Sequence, residues 1–349
     1  MSGDGCAPVA ASERDVNDIQ QSFAHLTRSM RALGILYTPH DYRRGNRGRC
    51  GALEISSKLF HALGAVIVWL NFVRVFYTYD SDLFGPKLVL KLIVHASYLK
   101  TAAAHSTCTY ISHNWMKIFA EWRQYRARHC VTDDVIRRTW RRAFVAVLLV
   151  WGFHVAIFLL NVAYVTLDNH MLISSQAQSL EPLPSWGLHV TKPVLLIGAL
   201  FDCFIIIGMT FVLAFVLCIC LALRDEFDAF NAYFENAVEA KCDPESAFLN
   251  QSNSVNFEFY RQWHLNITKI LNMCDDTFSF YVLLVFVCDV ALTCGALYLS
   301  AFQDADLATL LSNLVPWLVY LLTPMLLIIT MGTKLHSSVS YVMVSLVGN

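Results

Sequence analysis

Six long, mostly apolar stretches constrain the fold of this chain more than any other feature of its sequence. A helix of about 20 apolar residues crosses the hydrocarbon core of a bilayer, which is about 30 Å thick. The stretches that come close to or exceed this length are residues 59–77, 87–111, 143–166, 194–223, 278–302 and 309–333. Each is continuous, whereas the strands of a membrane β-barrel alternate polar and apolar residues over about ten positions. The sequence therefore predicts an all-α, polytopic membrane helix bundle with six spans.

Composition excludes several other classes of protein. Hydrophobic residues make up 56% of the chain and charged residues 15%, and the formal net charge is −1. Because a typical soluble domain has about 25% charged residues, a water-soluble globule, a disordered chain and a basic nucleic-acid-binding protein are excluded. The common nucleotide-binding, hydrolase and zinc motifs are absent from the sequence. We therefore predict a non-enzymatic protein without cofactor or metal, in which Cys218 and Cys220 are packing residues or palmitoylation sites rather than metal ligands.

Lysine and arginine are distributed unevenly among the loops. Residues 1–58 and 116–142 contain eight each, whereas residues 167–191 contain none. Because these residues accumulate in cytoplasmic loops, we expect a multi-pass protein with a cytoplasmic N-terminus. The glycosylation sequons at Asn250 and Asn266 fall in a predicted inner loop, and none of the eleven cysteines lies in a predicted outer loop. A G-protein-coupled receptor, whose N-terminus lies outside the cell, does not fit this pattern.

Two amphipathic stretches flank the loop between spans four and five. Their apolar residues recur every three or four positions, as on one face of a helix. The first stretch contains Phe227, Phe230, Phe234 and Val238, and the second contains Phe257, Tyr260, His264, Ile267, Leu271 and Cys274. Either the two helices lie flat on the membrane, or they leave it and pack as a cytoplasmic bundle against the same chain or neighbouring subunits. We expect the bundle, formed by cytoplasmic extensions of spans four to six.

The N-terminal tail shows the same helical periodicity. Its apolar positions are Val16, Ile19, Phe23, Leu26 and Met30. Because basic residues flank them, we expect an amphipathic helix that lies against the anionic inner leaflet. The chain then divides into a cytoplasmic tail, spans one to four, the amphipathic helices, spans five and six, and a short C-terminal segment. The corresponding ranges are 1–58, 59–223, 224–276, 277–334 and 335–349.

Ionisable side chains interrupt the predicted spans, where they are costly and usually functional. The candidates among them are Lys91, His95, Lys100, His105, His154, Asp202 and Asp289. One interpretation is that they neutralise one another between helices, as Asp202 or Asp289 could with Lys100 or His154. The other is a hydrated cavity that binds a small ligand among the outer halves of the spans. Its candidate lining residues are His95, Asn161, Tyr164, Asp202, Tyr298, Trp317 and Tyr320.

Three segments carry a resemblance to a known family. Residues 31–37 (RALGILY) precede the first span, residues 260–274 (YRQWHLNITKILNMC) lead into the fifth, and residues 278–284 (FSFYVLL) begin it. With the basic loop after span two and the long span four, they resemble the arthropod gustatory receptor and odorant receptor superfamily. The similarity extends over nearly the whole chain and implies a bundle of the kind described above, with seven spans in the family.

The C-terminus resembles that family only in part. The family's seventh span ends in Thr-Tyr, five apolar residues and Gln-Phe. Here Ser340 and Tyr341 match the first two positions, whereas Val347 and Gly348 replace the last two. Fifteen residues follow Lys334, too few for a further span. We therefore expect six spans, the alternative being that the sixth corresponds to the family's seventh and an earlier span is missed.

The resemblance implies a chemosensory receptor of the gustatory type in the plasma membrane. Such a protein is a subunit of a tetrameric, ligand-gated, non-selective cation channel that detects small tastants or odorants. Carried over to this chain, the contacts between subunits, in a homo- or hetero-tetramer with related receptors, are Phe227, Phe230, Phe234, Tyr260 and His264. The alternative function is a six-span accessory or scaffold protein of the same fold without its own pore. A transporter is disfavoured because the two halves of the chain show no internal repeat.

Overall fold

The computed structural model describes residues 18–37, 50–76, 85–129, 133–166, 192–242, 257–302 and 307–347. All regular structure in these ranges is α-helical, which confirms the all-α part of the predicted fold. The helices are α1 (Asp18–Ser22), α2 (Ala24–Ala32), α3 (Cys50–Phe76), α4 (Pro86–Arg128), α5 (Asp133–Thr166), α6 (Lys192–Cys242), α7 (Phe257–Ala301) and α8 (Leu307–Val347).

Helices α4, α6 and α7 are much longer than a bilayer is thick. They have 43, 51 and 45 residues. At 1.5 Å per residue α6 is about 76 Å long, against about 30 Å of hydrocarbon. Their extensions meet at the end of the bundle where α4 ends and α5 begins. We call this the basic end, because it carries Arg126, Arg128, Arg138 and Arg142.

Four stretches of the described helices combine the length and the apolar composition of a membrane span. They are Asp134–Leu160, Ile206–Val238, Glu258–Ala301 and Leu318–Ser340, in α5 to α8. The predicted spans 59–77 and 87–111 fall on α3, as far as Phe76, and on α4. The total of six spans stays a prediction. The boundaries placed after residues 223, 276 and 334 lie inside α6, α7 and α8, which continue through them without a break.

Helix α6 is the central helix of the bundle. It contacts α2, α4, α5, α7 and α8, and 56% of its apolar stretch is buried. Helix α4 packs chiefly against α7 and α3, and α5 packs chiefly against α6. Helix α8 contacts α6 and α7 and has only 6% of its apolar stretch buried. Leucines such as Leu149, Leu159 and Leu326 point outward, as lipid contact requires.

The N-terminal helices α1 and α2 lie inside the bundle, so the prediction that they rest on the inner leaflet is wrong. Ile19, Phe23 and Met30 are at most 1% exposed. The Phe23 ring lies 5.2 Å from that of Phe119 on α4 and 5.9 Å from that of Phe215 on α6. The amphipathic pattern identifies the apolar face correctly, but protein rather than lipid covers that face. Val16 lies outside the described residues.

A glycine turn fixes the chain after α2. Gly34 has a φ of +66°, which lets the amides of Ile35 and Leu36 bond back to the Met30 carbonyl. The Gly34 carbonyl is 2.7 Å from the His61 Nδ1 on α3. The Tyr37 amide donates a hydrogen bond of 3.2 Å to Ser112 Oγ on α4, so the segment is bonded to both neighbouring helices.

Candidate functional site

A buried ion pair joins the middle of α4 to the middle of α7. Lys100 Nζ donates to Asp289 Oδ1, and the side chains are 8% and 0% exposed. This is one of the pairings that the sequence predicted. His154 is not used in this way, because its Nδ1 lies 2.8 Å from the Val150 carbonyl of its own helix. The side chain of Asp202 lies outside those described.

Polar groups of four helices lie near this ion pair. The Thr101 hydroxyl of α4 donates to the sulfur of Met209 on α6 at 3.2 Å. The Tyr281 hydroxyl of α7 donates to the Met209 carbonyl at 3.0 Å. Both Tyr281 and Tyr320 of α8 lie within electrostatic reach of Asp289. Asp289 Oδ2 makes no hydrogen bond to any described residue, so it can accept one more donor. We call this group the polar centre.

The predicted pocket residues contact different helices. His95 is half-buried on α4, with its ring 4.6 Å from Phe72 and 4.0 Å from Phe76 of α3. Tyr298 is exposed near the end of α7 and lies 4.5 Å from Phe302. Tyr320 borders the polar centre. The remaining candidates occupy α5, α6 and α8, but their side chains lie outside those described; they are Asn161, Tyr164, Asp202 and Trp317. The pocket itself stays a prediction.

The five predicted oligomer residues pack against one another within one chain. Phe227 and Phe230 of α6 are buried, and both ring centroids lie within 6.0 Å of that of His264 on α7. Phe234 contacts Tyr260 at 5.4 Å. The sequence left open whether these aromatic faces pack against the same chain or against neighbouring subunits. The structure shows them packed against the same chain. A contact between subunits would use the outward faces of these helices.

Three aromatic residues missed in the sequence complete this cluster. Trp263 of α7 donates a hydrogen bond of 2.6 Å to the Tyr125 hydroxyl of α4. Its indole stacks on the His129 ring at 5.0 Å, with the two planes 7° apart. The signal for Trp263 is its spacing, three positions after Tyr260 and four before Ile267. Nothing in the sequence marks Tyr125 or His129, because their partners are more than 130 residues away.

Two consecutive carboxylates on α6 bind two different helices beside this cluster. Asp225 accepts a hydrogen bond of 2.8 Å from Arg142 of α5. Glu226 accepts bonds of 2.8 Å from Arg126 Nε and 3.1 Å from Trp122 Nε1, both of α4. Both carboxylates are at most 2% exposed. We call this group the carboxylate pair; it ties the extension of α6 to α4 and α5.

The surroundings of the cluster shift its titrating groups. Burial, together with the neighbouring Arg128 charge, lowers the pKa of His129 to about 4. Burial also lowers the pKa of His264. Burial raises the pKa of the Tyr125 phenol well above its usual range, and the Glu226 carboxylate beside it adds to the rise. Both histidines are therefore neutral near pH 7, and Tyr125 keeps its proton.

The structure also locates Cys218 and the C-terminal residues that the sequence analysis considered. In the described part of the chain, no three His, Cys, Asp or Glu side chains are grouped as metal ligands. Cys218 is buried within the main core. Ser340 Oγ lies 3.4 Å from His336 Nε2 on the same helix, and the Tyr341 side chain lies outside those described.

The long apolar helices and the extended basic end define a multi-pass helical membrane protein. Among solved structures, the insect olfactory receptor OR5 from Machilis hrabei is similar in fold, with a TM-score of 0.60. The similarity covers 91% of this chain and 82% of that chain, at 14% sequence identity. No protein-family model and no curated protein matches this sequence. The chain therefore has the fold of an insect olfactory receptor.

Proposed function

We propose that this protein is a chemosensory receptor, a subunit of a ligand-gated, non-selective cation channel. The observation that carries the proposal is the fold, shared over 91% of the chain with an insect olfactory receptor. The sequence resemblance supports the gustatory type, with small tastants or odorants as ligands. We further propose a tetramer, formed with copies of this chain or with related receptors, and no enzymatic activity.

We propose that the basic end faces the cytoplasm of a plasma-membrane protein. Helix α1 lies beside the arginines of the α4–α5 connection, because it packs against α5 and Ser22 Oγ donates to the Ile136 carbonyl. This common location supports a cytoplasmic N-terminus, since lysine and arginine favour that side.

The ligand would bind on the side of the polar centre away from the basic end. Tyr320 supports this location because it is a pocket candidate that interacts electrostatically with Asp289, whose Oδ2 accepts no hydrogen bond from a described residue. Ligand binding there would alter the Lys100–Asp289 ion pair. Because this pair joins α4 to α7, the packing of the two helices would change with it. The aromatic cluster and the carboxylate pair would transmit that change to the extensions of α6 and α7.

Current recordings test this function. Cells expressing the chain, with surface exposure verified by labelling, are exposed to a panel of sweet, bitter and amine compounds. We expect a ligand-evoked cation current. Tyr320→Phe should raise the half-maximal ligand concentration about tenfold, as expected for one lost hydrogen bond to a charged group. Tyr110→Phe, at an exposed position of α4 outside the candidate pocket, is the matched control. Absence of current from every compound, alone and with related receptors, would contradict the proposal.

The accessory-subunit alternative has one observation in its favour. Helix α8 is only 6% buried over its apolar stretch, yet it exposes the polar side chains of Thr330, Thr333 and Ser337 in the middle of the helix. A related receptor chain packed against α8 would cover them. In this case the protein would conduct no current alone and would co-purify with that receptor.

A further inference from the structure

A groove between α6 and α7, near the basic end, is not used in the function proposed above. Its volume is about 380 Å³, within the range of small-molecule sites. Its floor is apolar and buried, and includes Ile219 and Leu223 of α6 and Phe278 of α7. Leu335 of α8 closes one side. The groove is therefore a shaped cavity among three helices.

The exposed rim of the groove changes from acidic to apolar along α7. Asp275, Ser279 and Leu283 line it and are all exposed. Because they are four positions apart, they lie on one ridge of the helix. Phe286 lines the groove further on, about 16 Å from Asp275 along the helix axis. The polar end lies toward the basic end of the bundle, and the apolar end toward its middle.

The polar groups of the rim have no protein partners among the described residues. Neither Lys nor Arg forms an ion pair with Asp275 there. The Ser279 hydroxyl makes no hydrogen bond within the described part of the chain, whereas Thr277 and Thr293 of the same helix donate to carbonyls four residues earlier. A negative charge and a hydroxyl are thus both available at one end of an apolar groove.

We propose that this groove binds a single-chain amphiphile with a cationic amine head. The ammonium group donates to the Asp275 carboxylate, as charge complementarity requires, and lies beside Ser279. The hydrocarbon chain follows the apolar floor toward Phe286. The amphiphile enters from the outward side of the groove, where Phe280 and Leu283 are about 60% exposed. The site requires neither a pore nor the outer ligand pocket.

Photolabelling of the full chain in nanodiscs of zwitterionic lipid tests this site. The probe is dodecylammonium with a photoreactive diazirine on its chain, and dodecanol with the same diazirine is the uncharged control. Labelled peptides are mapped by mass spectrometry, and affinity is measured by displacement with unlabelled dodecylammonium. Asp275→Asn removes the charge of the rim. Asp276→Asn is the matched control, because Asp276 is the exposed neighbour that does not line the groove.

We expect saturable labelling of the facing segments of α6 and α7 by the amine probe. Asp275→Asn should weaken its binding about tenfold, as for one charge-assisted hydrogen bond, and Asp276→Asn less than twofold. Val282→Phe, which fills the groove, should abolish labelling while far-ultraviolet circular dichroism stays unchanged. Equal labelling by the alcohol probe would mean that the groove holds ordinary lipid and would overturn the proposal. So would equal effects of the two aspartate variants, or no labelling at all.

Discussion

Buried carboxylates at two levels of the bundle each have a cationic partner on another helix. Asp289 is paired with Lys100 among the predicted spans, and Glu226 with Arg126 in the extension. A charge that leaves water is costly unless it is paired and hydrogen-bonded. These pairs therefore fix which helices neighbour each other more than they add to stability.

Replacing Lys100 should expose this cost. Lys100→Met leaves the buried Asp289 carboxyl without its partner, and we expect a loss of about 3–5 kcal/mol in unfolding free energy. The double variant Lys100→Met, Asp289→Leu should recover most of that loss, because neither charge remains. Thermal or denaturant unfolding of the purified protein measures both changes. Lys117→Met, on the exposed face of the same helix, is the control; additive effects of the two replacements would contradict the pairing.

His129 should make stability depend on pH. Its folded-state pKa of about 4 lies below the usual 6.5, so between these values the unfolded chain binds a proton that the folded chain does not. Stability from this residue is complete above pH 6.5 and falls as the pH drops toward 4. The unfolding temperature measured against pH should decline less steeply in His129→Phe, which preserves stacking on Trp263. If the unfolding temperatures of the two proteins decline in parallel as the pH falls, His129 is not the cause of the decline.

At the scale of elements, α1, α2 and the turn after them belong to the core rather than to the membrane surface. Their apolar face packs against α4, α5 and α6. The contact between the Gly34 carbonyl and His61, and the hydrogen bond that the Tyr37 amide donates to Ser112, hold the segment that follows. This N-terminal unit contacts α4, α5 and α6. It therefore joins these three helices where their extensions begin.

Gly34→Ala should loosen the N-terminal unit. The residue has a φ of +66°, and an added Cβ would lie 2.8 Å from the Phe60 ring. We expect a loss of about 2 kcal/mol, from backbone strain together with the clash. Gly85→Ala is the matched control, because Gly85 has a φ of +63° with nothing within 4 Å of an added Cβ and tests strain alone. The unfolding free energies compare them, and equal losses would show that Phe60 does not matter.

At the scale of the whole molecule, both ends of the described chain lie at the basic end. Ser22 contacts the beginning of α5, and the Ser338 carbonyl of α8 accepts a hydrogen bond of 2.9 Å from Asn231 on the extension of α6. An even number of passes separates them if α3 to α8 all cross the membrane. The bundle then has its polar centre within the bilayer and its aromatic cluster on one side of it.

Epitope tags at both ends of the chain test this arrangement. With the basic end in the cytoplasm, antibodies should reach neither tag in intact cells and both after permeabilisation. A tag in residues 167–191, a predicted outer loop, is the positive control and should be reached in intact cells. If one terminal tag is accessible in intact cells and the other is not, the number of passes is odd; if both are accessible, the orientation is reversed.

Local sequence determined the helices, the ends of α3 to α8 that lie away from the basic end, and the amphipathic faces. Apolar periodicity depends only on neighbouring residues, so the sequence alone assigns Phe227, Phe230 and Tyr260 to the same type of surface. The tertiary structure decided what covers each face. Phe23 meets Phe119 and Phe215 rather than lipid, and Lys100 pairs with Asp289, because these contacts join residues about 100 or more positions apart. Pairing between distant helices depends on how the whole chain packs, which no local pattern records.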